Sequence, residues 1–200
     1  LSRRQRQMCI RDRNMDRLVI KQILGNEQVT QYYVVSLIGK TLVLLIAPIN
    51  TIVISYLTKR KERLTRSQFG KAVLAGGGVS LVFFVACQIG TPLFVWLFYR
   101  NLYESVKGIV TVVNLAQILG LFSAFLFILV LTFTDERWQL WIQLAHFCIL
   151  LVSSVLAART YGMMGFAVAS LGANSLRVAA VVILGIVKAG KDKGDRNADR

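Results

Sequence analysis

Five apolar runs, at roughly 31–57, 72–98, 109–133, 138–158 and 163–187, dictate what this chain can become. Each meets or exceeds the ~20 residues that a helix needs to span the hydrocarbon of a bilayer. The composition agrees: 55% of the residues are apolar and 17% are charged. A soluble core of this size needs no such set of long runs, so the composition marks an integral membrane protein. A sixth, clipped run ends near Leu24, and the chain starts with Leu rather than Met, the expected signature of a fragment. The expected fold is all-α: a polytopic transmembrane bundle of about five complete helices plus one partial helix.

The first thirteen residues, LSRRQRQMCIRDR, do not share the pattern that follows. They read as translated sequencing-adapter read-through, with a basic cytoplasmic arm as the alternative. No apolar region and cleavage site follow them, which argues against a targeting signal. They hold five Arg and one Asp, so without them the formal charge falls from +14 to +10. The remaining excess lies mainly in the loop TKRKERLTRSQFGK at 58–71 and in the tail at 189–200. The membrane bias of Lys and Arg toward the cytoplasm explains that distribution better than nucleic-acid binding does. Four runs separate loop from tail, so both fall on one side, and the expected topology is multi-pass with a cytoplasmic C-terminus. The linker near 100–108 and the segment at 158–163 are then external, and TDER at 134–137 is internal. Residues 25–30 are expected as an external turn.

No nucleophile elbow, zinc helix motif, phosphate loop or dinucleotide fingerprint is present, so no enzyme chemistry is indicated. Cys9, Cys87 and Cys148 lack paired spacing, and neither a metal site nor a cofactor is called for. The single histidine, His146, lies among Gln143, Leu144 and Phe147 and reads as a packed or cavity-lining polar residue, with a proton relay as the alternative. Pro48 and Pro92 interrupt two of the runs, and Gly76, Gly77 and Gly78 give the third helix a small-residue face for close packing or for a hinge. Gly162, Gly165, Ala169, Gly172 and Ala173 form a similar stripe on the last helix.

Lys40 and Arg177 carry the functional signal. Each is a lone cation inside an apolar run. Such a charge costs about 2.5–3.5 kcal/mol on insertion scales, and more in simulations, and is kept where it faces a bundle interior, a partner or a polar pathway. Two positive charges point to an anionic cargo. Asp16 lies eight residues inside Leu24, about 12 Å, and Lys40 lies nine residues inside Gln31, about 14 Å. At matched depths, an Asp16–Lys40 ion pair is the structural alternative. Arg17 shares a helix face with Lys21, which is shallow enough to snorkel to the interface. Arg177 follows Asn174 by one turn, and a bond to Asn174 or to backbone carbonyls is its structural alternative.

Three stretches carry a resemblance to a known family: DRLVIKQILGNEQVTQYY at 16–33, APINTIVISYLTKRKE at 47–62 and YGMMGFAVASLGANSLR at 161–177. They combine an Asp-bearing helix ending in Leu-Gly, a mid-helix proline before a basic loop, and a Tyr-Gly entry leading to Asn-x-x-Arg. Over 14–188 the chain resembles the C-terminal half of bacterial polysaccharide flippases. These are the O-antigen, teichuronic acid and exopolysaccharide exporters of the multidrug/oligosaccharidyl-lipid/polysaccharide transporter superfamily. The resemblance implies two six-helix lobes around a central cavity in the bacterial inner membrane, with this chain holding most of one lobe. It implies export of an undecaprenyl-pyrophosphate-linked oligosaccharide by alternating access, with Lys40, Arg177, Arg17 and Asn174 as cavity candidates and Asp16 as an ion-pair or coupling residue. The implied partners are that lipid-linked sugar, membrane lipids and the missing N-terminal lobe of the same chain. The rivals are a multidrug or cation antiporter of the same superfamily, which needs buried carboxylates, and a membrane polysaccharide polymerase, which needs a sizeable external loop. A scaffold without transport would carry the deep cations at a cost and to no purpose.

Overall fold

The computed structural model of the chain describes residues 17, 19–59, 66–131 and 136–198, and helix accounts for nearly all of them. Residue 17 and residues 19–24 are helical and form α1. The chain continues through α2 (Asn26–Lys59), α3 (Arg66–Phe98), α4 (Arg100–Val106), α5 (Val110–Leu131) and α6 (Glu136–Ala198). No strand occurs among the described residues.

Gly25 separates α1 from α2 with φ +92°, a conformation that glycine adopts at little cost, as at many helix ends. The Gly25 carbonyl then accepts from Val29 N–H, and Glu27 in the first turn suits the positive end of the helix dipole. The expected external turn at 25–30 is therefore a single residue, and α2 begins five residues before the apolar run. α2 stays helical through Pro48, while Pro92 lies inside α3. The expected linker at 100–108 is mostly helix as well. Tyr99, at φ −134° and ψ 47°, breaks the chain before α4, and Val106 anchors that short helix in the interior. Exposed Glu104 and Lys107 pair on its outer side, and this hydrogen bond holds the Lys107 ammonium above its usual range.

The 63 residues of α6 would make a rod about 95 Å long, three times the hydrocarbon thickness. Instead α6 doubles back. Gly162, at φ 61° and ψ −143°, is its non-helical residue. Arg177 meets Gln143, 34 residues away, and Asn174 meets His146, 28 residues away. Along a straight helix these pairs would lie about 51 and 42 Å apart. The element is thus an antiparallel hairpin, with an ascending arm before Gly162 and a descending arm after it. The turn is tight: a Cβ on Gly165 would lie 2.1 Å from the Ala157 carbonyl oxygen. Gly162 and Gly165 serve this turn, rather than the packing stripe expected of them, and Gly172 faces open space.

Two apolar clusters then fix the direction of each pass. One joins Ile20, Tyr32 and Val35 to Val95, Val106, Val110, Ala158 and Phe166. The other joins Phe69 to Leu126, Val130 and Val181, with Ile142 packed against them. The ends of α1, α3 and the ascending arm meet the starts of α2, α5 and the descending arm in the first cluster. Successive passes therefore alternate, as the count of apolar runs requires. α5 is the axis: 39% of its apolar window is buried, against 6% for those of α3 and α6. Glycine lets aromatics seat closely around it. Gly76 admits Phe122 and Phe125 from α5, and Gly185 admits Phe69 from α3, in both cases where a Cβ would clash.

Among the described residues, three helices are long and apolar enough to cross a membrane: Ser67–Phe98, Val110–Val130 and Leu140–Val187, the last containing both arms of the hairpin. Their outward faces carry Leu74, Val82, Ile89, Leu144, Val152 and Leu176, all exposed. Such an apolar surface suits acyl chains and not water. Exposed Trp96, Tyr99 and Tyr161 ring one end, and Trp138 and Trp141 ring the other. Trp141 and Tyr161 are 68% and 78% exposed and stand twenty residues apart on one arm, about 30 Å. That spacing matches two aromatic belts at the faces of one bilayer. The chain is a helical membrane protein.

Candidate functional site

Between the two apolar clusters, the hairpin and α5 enclose a polar group of four side chains. Arg177 on the descending arm donates from Nη2 to Gln143 Oε1 at 2.9 Å. Its guanidinium lies 5.4 Å from the centre of the Phe127 ring of α5, within cation–π reach. Asn174, one turn earlier, donates from Nδ2 to the Ala116 carbonyl of α5 at 3.0 Å. Its Oδ1 stands 3.3 Å from His146 Nε2. A backbone carbonyl only accepts, so the Ala116 bond fixes the orientation of the Asn174 amide. The oxygen then facing His146 also only accepts, and the proton of the neutral imidazole sits on Nε2.

The geometry follows from spacing. Gln143 and His146 are three residues apart on one arm, and so are Asn174 and Arg177 on the other. Each pair occupies one face of its helix. The two pairs are placed symmetrically about Thr160, two residues before Gly162, and the hairpin brings them face to face. All four side chains are half-buried. Arg177 bonds Gln143 across the hairpin, while Asn174 tethers α5 and His146. His146, expected as a packed or cavity-lining residue, holds a specific place in this group.

The remaining candidates lie elsewhere. Lys40 is half-buried on α2, with Nζ 5.8 Å from the centre of the Tyr32 ring. Its neighbour Gly39 lets α2 approach α5 closely, where a Cβ would stand 3.0 Å from Gln117 Cβ. Gln117 follows Ala116, so Lys40 is level with Asn174 but against a different face of α5. Arg17 covers the Tyr33 ring at 4.2 Å, and its buried Nε has no hydrogen-bond partner. Tyr32 itself meets Phe166 edge-on at 5.2 Å. The structure thus unites Asn174 and Arg177 and sets Lys40 and Arg17 on adjacent tyrosines of α2. Asp16, and with it the Asp16–Lys40 pair, lies outside the described residues.

A second polar group, unforeseen from sequence, joins α3 to α5. Thr91 Oγ1 donates to Asn114 Oδ1 at 3.3 Å, and Asn114 Nδ2 donates to the Cys87 carbonyl and to Gln88 Oε1 at 3.2 and 3.0 Å. Gln88 Nε2 donates in turn to Thr111 Oγ1 at 3.0 Å. Asn114 and Thr91 are fully buried. The network sits beside Pro92, where α3 lacks a backbone donor. It is a clamp between helices, with its amide groups already engaged. Among the described residues, no three His, Cys, Asp or Glu side chains converge on a metal position. The hairpin group is different in kind: it carries the fixed positive charge of the Arg177 guanidinium. No family model, curated protein or solved structure matches this chain.

Proposed function

We propose that this chain is one lobe of a bacterial inner-membrane transporter that exports an undecaprenyl-pyrophosphate-linked oligosaccharide by alternating access. The observation that carries the reading is one of sign. The hairpin site is cationic and rich in donors, Lys40 and Arg17 add positive charge beside α2, and the five apolar runs contain no Asp or Glu. Membrane-embedded Arg and Lys are expensive, and a pyrophosphate group is the kind of cargo that gives them a use. A drug–cation antiporter needs carboxylates at this depth, for which Asp16 of the clipped run is the candidate, and the deep cations Lys40 and Arg177 weigh against that reading.

In this reading the basic segment at 58–71 and the tail face the cytoplasm. Cysteine placed at exposed Ser67 should resist an impermeant thiol reagent applied outside intact cells, while cysteine at exposed Ser105 should react. Labelling at Ser67 reverses the orientation. The function itself is tested at Lys40. In the assembled transporter, Lys40→Ala should lower export of lipid-linked sugar about tenfold, the effect of losing one charge-assisted contact, with membrane insertion unchanged. If Lys40→Ala and Asp16→Ala are each inactive but together restore export, Lys40 serves an ion pair and not the cargo.

A further inference from the structure

The polar side chains of α5 are Thr111, Asn114, Gln117 and Ser123. Thr111 and Asn114 are engaged in the clamp to α3, and Ser123 returns its hydroxyl to the Gly120 carbonyl. Gln117 is placed differently. Its side chain lies across buried Gly39 of α2, where a glycine Cβ would stand 3.0, 3.1 and 3.7 Å from Gln117 Cβ, Cγ and Cδ. It is half-buried, and it makes no hydrogen bond among the described residues. Its amide is not sealed inside the bundle.

We infer that Gln117 binds a hydroxyl or amide group of the cargo's sugar, in a site that opens along the seam between α2 and α5. This rests on the export reading and adds a sugar contact to the pyrophosphate contact assigned to Lys40.

Depth makes the amide informative. Gln117 lies seven residues into α5, about 11 Å, where lipid offers neither donor nor acceptor. An amide facing hydrocarbon there loses its hydration with nothing in exchange. Along α2 the sequence from Val43 to Ala47 is apolar and supplies no polar side chain. Water or a polar ligand must therefore reach the seam. Lys40 follows Gly39 directly, so an ammonium and an amide stand at one level of the bundle. A pyrophosphate-linked sugar presents the matching order of groups, first a phosphate charge and then neutral hydroxyls. The carboxamide has an acceptor oxygen and two N–H donors, and neighbouring sugar hydroxyls can both donate and accept. Gly39 sets the approach, because it lets the Gln117 stem lie against the α2 backbone.

The test uses membranes that hold the assembled transporter, with Cys9, Cys87 and Cys148 replaced by Ala. Single cysteines are introduced as Gln117→Cys, Lys40→Cys or Val82→Cys, the last on the exposed apolar face of α3. A small water-soluble methanethiosulfonate should modify the first two at least about tenfold faster than the third, since only a hydrated thiol ionises and reacts. Labelling is then repeated with undecaprenyl pyrophosphate alone and with the same carrier bearing one sugar. The bare carrier should protect Lys40→Cys only, and the sugar-bearing carrier should protect both. Gln117→Cys as slow as Val82→Cys means that the other lobe or lipid covers the seam, and overturns the inference. Protection of Gln117→Cys by both carriers, or by neither, also overturns it, while protection of Lys40→Cys leaves the export reading standing. Failure of either carrier to protect Lys40→Cys overturns both. Export by Gln117→Leu, a substitution of similar size, gives a second measure. It should fall about fivefold, the effect of one lost hydrogen bond, and wild-type export overturns the sugar contact.

Discussion

Gly165→Ala is expected to open the α6 hairpin, at a cost of roughly 3 kcal/mol or more, the range seen when a well-packed interior is overfilled. The added methyl carbon would lie 2.1 Å from the Ala157 carbonyl oxygen and 2.8 Å from Tyr161 Cβ. A backbone oxygen on the opposing arm cannot swing aside as a side-chain tip would. The clash is relieved only if the arms separate, and separation at the turn pulls Arg177 from Gln143 and Asn174 from His146. Gly162→Ala should be milder, about 1–3 kcal/mol, because it imposes backbone strain at φ 61° and ψ −143° without any collision. Gly172→Ala is the control, since nothing lies near its Cβ position. Unfolding in detergent or nanodiscs should rank the three in that order. A Gly165→Ala chain as stable as Gly172→Ala excludes the hairpin described here.

That hairpin shows what was legible in sequence. The break between the fourth and fifth runs was visible as a change from apolar residues to Arg159, Thr160, Tyr161 and Gly162, and it lies where it was expected. Alternation of the passes followed from run lengths alone, because a bilayer admits only spans of one size. The partners of Arg177 and Asn174 were harder to see. Their choice depends on register, and register in an antiparallel hairpin is set by the exact residue that turns. Counted from Gly162, Arg177 and Asn174 would face Phe147 and Leu150, whereas the observed pairs are symmetric about Thr160, so the visible turn glycine alone does not give the register. The Thr91–Asn114 clamp had no comparable cue. Asn114 and Thr91 belong to helices joined through α4, and the length of that connection does not reveal which polar residues end at the same depth. Lys40 shows the opposite limit. Its depth was readable, but the aromatic ring beside it comes from its own helix, two turns earlier.

Arg177→Lys is expected to lower export of lipid-linked sugar about tenfold, and Arg177→Ala about a hundredfold, with both proteins still inserted. The graded loss comes from what each side chain can do at this site. The guanidinium donates to Gln143 Oε1 and lies within cation–π reach of the Phe127 ring, and its planar fork has a geometry suited to a phosphate. A lysine ammonium keeps the charge but is a compact point with no plane to stack, so it loses the fork and part of the orientation. A charge-assisted hydrogen bond is worth about 1.5–3 kcal/mol, which converts to roughly tenfold to a hundredfold. Alanine removes the charge as well, together with the electrostatic attraction that draws an anion into a low-dielectric bundle. A purely structural arginine predicts another pattern. Gln143→Ala would then match Arg177→Ala in both stability and export, because each breaks the same bond between the arms. If the cargo is the reason for the charge, Gln143→Ala should retain most export while Arg177→Ala does not, because the guanidinium remains over Phe127 when its neighbour is cut back. Wild-type export by both Arg177→Lys and Arg177→Ala removes this residue from the transport mechanism and leaves the hairpin site as a helix joint.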